Sequence, residues 1–600
     1  MKSLGASLHL GATLHETGTT FRVWAPRCRS VDVAIEGRRP EPLTPREDGL
    51  FERTVGGLAA GSRYQYRLDG ERYRPDPVSR FQPEGVHGPS VVVDSARFPW
   101  TDQGFRGHAL ADLVIYELHV GAFTAAGTFE AVVPHLLSLV DLGVTAIELM
   151  PVAEFPGSRN WGYDGVHLYA PQSTYGGPRG LRRLVDAAHG HGLSVLLDVV
   201  YNHLGPEGNY LAEYGPYFTD RYKTPWGGAI DFDGPDSEGV RRHVVDNARY
   251  WVREFHVDGL RLDAIHSIFD ASPVHVLTEV AEGAREAARL RDRPIHVMAE
   301  SHDNDRKIVL PAAEGGLGLD AVWSDDFHHA VHSRLTGERG GYYVDFAQGR
   351  GLARAIAEGF AYQGEPSEYF GRPRGTPSAD LGGERFVIAL QNHDQVGNRA
   401  VGDRLSTIVP LAAAKMAAAL LFAAPALPLL FMGEEYGETS PFQFFTSFLD
   451  PALVEAVRGG RAAEFARFGW EGKIPDPSEP ATFLRSRLSH PLAGAPRHRE
   501  LREYYRQWLG LRRSHPALGA HGKERAQCET DATGSVLTLS RPGPDAAGVR
   551  LVANLTAAPQ PLTPPAGGRV LLDSEDKRFA GAAPSRPLAP YQAILYEMGR

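Results

Sequence analysis

From about residue 110 the chain repeats one rhythm, a short and almost wholly apolar run followed by a longer amphipathic stretch. The apolar runs are LVIYELHV (113–120), TAIELMPV (145–152), SVLLDVVYNH (194–203), DGLRLDAIH (258–266), IHVMAES (295–301), AVWSDDFH (321–328), RFVIALQNHD (385–394) and LPLLFMGEE (427–435). Helical patterns lie between them, for example FEAVVPHLLSLVDLG (129–143), LRRLVDAAHGHG (181–192) and SEGVRRHVVDNARYWVREF (237–255). Near-continuous apolar strands alternating with helices predict a parallel sheet covered on its outer face. Eight repeats predict an α/β fold closed into a (β/α)8 TIM barrel.

The flanks have a different period. FRVWAP (21–26), VDVAIEG (31–37), FERTV (51–55) and YQYRLDG (64–70) alternate apolar with polar and are punctuated by Gly, Pro and Asp. This predicts an N-terminal immunoglobulin-like β-sandwich over 1–105. Alternation returns in SVLTLS (535–540), VRLVANL (549–555), VLLDS (570–574) and YQAILYEM (591–598), predicting a C-terminal antiparallel β-domain over 516–600. The catalytic barrel is then expected over 106–515. A Gly/Pro/Tyr-rich insertion after the third run, about 204–236, reads as a long irregular loop, and such loops are usually functional.

Composition narrows the function classes. The formal net charge is -10, so a nucleic-acid-binding surface is not suggested. Two cysteines, Cys28 and Cys528, imply neither a disulfide framework nor a cysteine metal site, although a bridge between them stays open. The opening MKSLGASLHLGATLHETG lacks the apolar core of a secretory signal, so a cytoplasmic location is expected. The most apolar stretch, 411–432, carries Lys415, Pro425 and Pro428 and reads as a buried helix followed by a buried strand, so no membrane association is expected.

Charge gathers at the C-terminal ends of the apolar runs. The third ends in Asp198 and His203, and the fourth holds Arg261, Asp263 and His266. The fifth ends in Glu300, and the seventh in His393 and Asp394. In a (β/α)8 barrel that rim is where catalysis occurs. Alternate strand positions point the same way, so Arg261 and Asp263 share a face. Three carboxylates, Asp263, Glu300 and Asp394, thus converge. A retaining glycosidase needs two about 5 Å apart, one nucleophile and one acid. Arg261 would keep Asp263 ionised, and negative charge from Asp394 would help Glu300 hold its proton. A lone Asp at a strand end is commonly a cap, but four rim positions fitting one mechanism outweigh that reading. His203, His266 and His393 with Asp198 offer a zinc alternative, yet no HExxH occurs and none of these three belongs to a close helical His pair.

At these residues the sequence resembles the α-amylase superfamily of glycoside hydrolases. DVVYNH (198–203), GLRLDAIH (259–266), VMAES (297–301) and QNHDQ (391–395) look like its four ordered signature segments. The resemblance implies Asp263 as nucleophile, Glu300 as acid/base, Asp394 as transition-state stabiliser and Arg261 as the family arginine. It implies sugar-binding roles for His203 and His393, a part in substrate binding for His266, and an aromatic platform at Tyr163 of WGYDG (161–165). Asp198 would support the arginine. Asn202 stands where secreted relatives often bind calcium, but no calcium cage assembles, and neither metal nor cofactor is expected.

Finer segments narrow the resemblance. DVVYNHLGPEGNYLAEYGPYF (198–218), WSDDFHHA (323–330), QNHDQVGNRAVGDRL (391–405) and FMGEEYGETSPFQFF (431–445) resemble the trehalohydrolase branch, including Gln395 after the stabilising Asp. That branch implies hydrolysis of the α-1,4 bond beside the terminal trehalose of maltooligosyl trehalose. It also implies a pathway link to the synthase that makes this substrate. A glycogen branching enzyme would share every catalytic residue and differ only in its acceptor. A non-catalytic glucan-binding protein should have lost a carboxylate. Oligomeric state is not legible. In the N-terminal part, Trp24 and Trp100 leave a glucan-binding role open, with a packing module that shapes one end of the cleft as the preferred reading.

Overall fold

The computed structural model describes residues 10–467, 474–543, 547–579, 581 and 587–599. The first nine residues, part of the stretch read as lacking a secretory signal, lie outside them. Eight parallel strands close into a barrel in chain order: β1 (Ile115–Leu118), β2 (Ala146–Leu149), β3 (Ser194–Val199), β4 (Gly259–Leu262), β5 (His296–Glu300), β6 (Ala321–Trp323), β7 (Phe386–Ala389) and β8 (Leu427–Phe431). Each lies within one of the eight apolar runs, and β8 pairs back onto β1 with Ile115 opposite Leu429.

The inward-facing positions change character along the strands. Ile115, Ala146, Leu196, Met298, Ala321, Val387 and Leu429 pack together as an apolar plug. Two residues further along several of the same strands come Glu117, Glu148, Asp198 and Glu300, with Arg261 opposite Asp198 in the β3–β4 register. Because strand side chains repeat every second residue, these charges sit as a layer on the plug, at the catalytic end of the barrel. Gly259 opens β4 because a Cβ there would lie 2.3 Å from Leu196 Cδ2 and 2.8 Å from the His296 carbonyl.

The predicted helices form with one adjustment. Gly177–Gly190 and Glu238–Phe255 are continuous, each with an apolar face turned to the barrel. The 129–143 segment instead breaks into Phe129–Val132, a 3-10 turn Val133–His135 and Leu136–Leu142. Pro134 explains the break, since its ring carries no N–H for the helical ladder.

On the N-terminal side two antiparallel sheets face each other. One is built on Gly18–Trp24 and Leu50–Gly56, the other on Val31–Ile35 and Arg63–Leu68. Phe21, Val23, Val33, Tyr64, Tyr66 and Leu68 are buried between them. The C-terminal part is a five-stranded antiparallel sheet in the order Gln527–Thr530, Val536–Arg541, Gly548–Asn554, Ala593–Met598, Gly568–Asp573. The 204–236 insertion is more ordered than the irregular loop expected. It carries a short helix, Leu211–Tyr214, and an antiparallel hairpin of Phe218–Thr224 with Gly227–Ile230. The 411–432 stretch is a buried helix, Leu411–Ala423, running into β8. No helix among the described residues is long and apolar enough to cross a membrane. Cys28 and Cys528 are both free thiols.

Candidate active site

The centre of the charged layer is one fully buried guanidinium. Arg261 Nη1 donates to Asp198 Oδ2 at 2.8 Å, to Asp198 Oδ1 at 3.0 Å and to Asp263 Oδ1 at 2.7 Å. Its Nη2 lies 3.8 Å from Glu300 Oε2. Trp323 of β6 lies under this group, its ring centroid 4.5 Å from the Arg261 guanidinium carbon. A cation paired with two carboxylates and an aromatic face keeps its charge without water. Asp263 and Glu300 therefore lie within ion-pair reach of a single group. They are also tied through the backbone: the N–H of Ala264, next to Asp263, donates to Glu300 Oε2 at 2.5 Å. Ala264 adopts φ 38 and ψ 51 to aim that N–H, a left-handed conformation costly for a residue with a Cβ.

Electrostatics act strongly on Glu300. Burial, first, and then the negative charges of Asp263, Asp394 and Asp325 push Glu300 up to about 8, against the opposing pull of Arg261. Burial is the largest cause, ahead of the neighbouring charge that the sequence reading invoked. Asp325 opens the helix Asp325–Thr336 and is itself raised to about 6, again mainly by burial. Gln395 fixes it, donating Nε2 to Asp325 Oδ1 at 2.8 Å. Asp394 is 44% exposed, and its Oδ1 accepts from Asn398 at 3.1 Å.

These groups border a cavity of about 670 Å³. Of the residues singled out in the sequence, Asp263, Glu300, Asp394, His203, His266 and Tyr163 line it. Arg261 and His393 lie behind the wall, fully buried. The Tyr163 hydroxyl is 2.6 Å from Asp198 Oδ2 and 2.7 Å from His393 Nε2. His203 stacks on Trp226 of the hairpin, ring centroids 4.2 Å apart and nearly parallel. The His266 and His302 rings lie 3.8 Å apart, and burial followed by His266 lowers His302 to about 4.

Several site residues were missed in the sequence. Glu117 of β1 contacts His393 from below. Tyr342, Asp345, Tyr369, Phe370 and Arg374 also line the cavity. Paired aromatics beside glycines, YY at 342–343 and YF at 369–370, were the available cue. The two tryptophans of the N-terminal part pack inward. Trp24 meets Tyr217 edge-on at 5.3 Å, and Trp100 stacks on His256 at 3.6 Å. No group of three or more His, Cys, Asp or Glu side chains able to hold a metal ion occurs among the described residues.

Comparison with known proteins follows this geometry. The alpha-amylase catalytic domain matches residues 95–224, and carbohydrate-binding module 48 (isoamylase N-terminal domain) matches 9–81. A domain of unknown function matches 524–595. The malto-oligosyltrehalose trehalohydrolase of Arthrobacter ramosus is 44% identical over 96% of this chain and 99% of its own. The chain belongs to the malto-oligosyltrehalose trehalohydrolase family. The family's member from Saccharolobus solfataricus is 48% identical over 80% of this chain and 83% of its own. A crystal structure from Salmonella typhimurium, named as an alpha-amylase candidate, superposes with a TM-score of 0.91. It is 41% identical and covers 98% of this chain and all of that one. For this trehalohydrolase-family chain the relatedness thus extends over all three structural parts rather than the barrel alone.

Proposed function

We propose that this protein hydrolyses the α-1,4-glucosidic bond beside the terminal trehalose of maltooligosyl trehalose, with retention, and releases trehalose. The observation that carries the chemistry is the pairing of Asp263 and Glu300 across one guanidinium at the cavity floor, with Glu300 raised to about 8. A carboxyl still protonated at neutral pH can give its proton to the departing trehalose oxygen. Asp263, hydrogen-bonded by Arg261, attacks the anomeric carbon of the maltooligosyl unit and forms a glycosyl ester. Glu300, now a carboxylate, takes a proton from water, which attacks the same carbon and frees Asp263. Asp394 stabilises the cationic transition state from the open side of the cavity. Tyr163, His203 and His266 contact the sugar, and Arg261 and His393 act from behind the wall.

The bond specificity rests on the near full-length relationship to named trehalohydrolases. The same reading divides the chain into a sandwich to about 105, a catalytic barrel to about 515 and a C-terminal β-domain. It places the enzyme in the cytoplasm, supplied by a synthase that makes maltooligosyl trehalose. The test is incubation with maltooligosyl trehalose beside a plain maltooligosaccharide of equal length. Preferential release of trehalose is expected. Equal cleavage of both, or new α-1,6 branches, would count against it.

A further inference from the structure

His393 is held by a carboxylate from the opposite side of the sequence. Glu117 Oε1 lies 2.5 Å from His393 Nδ1, and its other oxygen accepts the His393 backbone N–H at 3.0 Å. Both side chains are 1% exposed. Such a two-point grip fixes ring and backbone together. The far nitrogen, Nε2, is 2.7 Å from the Tyr163 hydroxyl, which lies 2.6 Å from Asp198 Oδ2.

Donor counting sets the protonation of this chain. A tyrosine hydroxyl has one proton to give. Asp198 is bound twice by Arg261, so it is an acceptor only, and Tyr163 donates to it. The hydroxyl must then accept from His393, which requires Nε2–H. At the other end Nδ1 faces a carboxylate already engaged with a backbone N–H, which requires Nδ1–H. Both ring nitrogens carry protons, and the ring is an imidazolium.

We propose that Glu117 is a positioning residue for the hydrolytic site. It holds His393 as a fixed cation, and that charge, passed through Nε2–H to Tyr163, polarises the Tyr163–Asp198–Arg261 chain behind Asp263. This rests on the glycosidase reading above. The groups facing His393 agree with it: Glu117 from β1, Glu148 from β2, Asp198 from β3, Arg261 from β4, and Tyr163 and Asp394 beside it. Despite its burial, His393 is raised to about 9, with Glu117 the largest of the causes that raise it and Arg261 opposing. Glu148, in register with Glu117 on the neighbouring strand, is pushed far upward by burial and then by Glu117.

Glu117→Gln separates charge from shape. A glutamine can accept the backbone N–H with its oxygen and donate its amide to Nδ1, preserving the geometry while making His393 neutral. On maltooligosyl trehalose the variant should lose roughly 10- to 100-fold in kcat at pH 8, with KM within about threefold. The ratio of wild-type to variant activity should shrink as the pH rises through about 9, where the wild-type His393 loses its own proton and the two proteins become alike. Glu117→Asp keeps the charge but retracts it. It should show a smaller loss of the same pH sign, and it serves as the test if the glutamine variant does not fold. A ratio that stays flat with pH, or wild-type kcat throughout, overturns the proposal. Failure of the wild-type protein to release trehalose would instead overturn the reading on which it rests.

Discussion

Glu300 has to be an acid in one half-reaction and a base in the next, and its surroundings decide the pH at which it can be both. With Glu300 raised to about 8, kcat/KM should fall as the pH rises through that value, because the free enzyme then lacks the proton it must donate. Asp325 contributes to the raise as a negative charge. Asp325→Asn keeps an acceptor for Gln395 but removes that charge, so Glu300 should titrate lower and the alkaline limb should begin at a lower pH. An unmoved or upward-shifted limb in a pH–kcat/KM series would refute the coupling. Asp263→Asn should cost several orders of magnitude in kcat, since an amide cannot form the glycosyl ester. Unchanged activity in that variant would remove the proposed nucleophile. The convergence of Asp263, Glu300 and Asp394 on one cavity was legible because they stand near the ends of separate apolar runs, where any one alone would pass for a cap but several together fit one mechanism. Glu117 was not, since a single Glu inside LVIYELHV looks like any polar interruption of a strand. Its partner lies 276 positions away, and only barrel closure brings β1 beneath the end of β7.

Elements became legible in proportion to how one-sided their burial is. The barrel strands are covered on both faces and read as unbroken apolar runs, so all eight were visible. The hairpin Phe218–Thr224 with Gly227–Ile230 was not, because FTDRYKT has one face in contact and one in water with charges on both. It is secured by side chains rather than by a core. Arg221 bonds Asp231 at 2.6 Å and Asp233 at 2.5 Å, and Tyr222 donates to Asp233 at 2.7 Å. Its turn carries Trp226, which is half exposed although its ring stacks on His203 in the cavity. A large aromatic left half in water at a sugar-sized cavity has stacking surface to offer a pyranose ring. Trp226→Ala should raise KM for maltooligosyl trehalose about tenfold, the equivalent of roughly 1.4 kcal/mol, with a smaller effect on kcat. Equal losses in kcat and kcat/KM would mean that the ring acts in the transition state instead.

Both flanking β-parts are bolted to the barrel through polar groups at the seams. On the N-terminal side Glu213 of the insertion receives Arg72 and Arg74, each at 2.9 Å, and Tyr214 donates to the Pro75 carbonyl at 2.8 Å. The sandwich thereby braces the same insertion that carries the hairpin. The C-terminal sheet holds the helix Leu411–Ala423 instead, behind the barrel and away from the cavity. Arg541 of that sheet donates to the Ala423 carbonyl at 2.9 Å, where the end of the helix leaves acceptors unpaired. Within the helix, buried Lys415 reaches the Ser574 carbonyl, the Phe579 carbonyl at 3.1 Å and Glu575 at 3.5 Å. Lys415→Met keeps most of the volume and removes the donor, so two buried carbonyls lose a charged partner. Each costs about 1–3 kcal/mol if nothing replaces it. The melting temperature should fall by several degrees in a thermal scan, whereas kcat and KM should stay within twofold, because no residue of this seam borders the cavity. A loss of activity at unchanged melting temperature would contradict this division, in which one flank shapes the cleft and the other only supports the barrel.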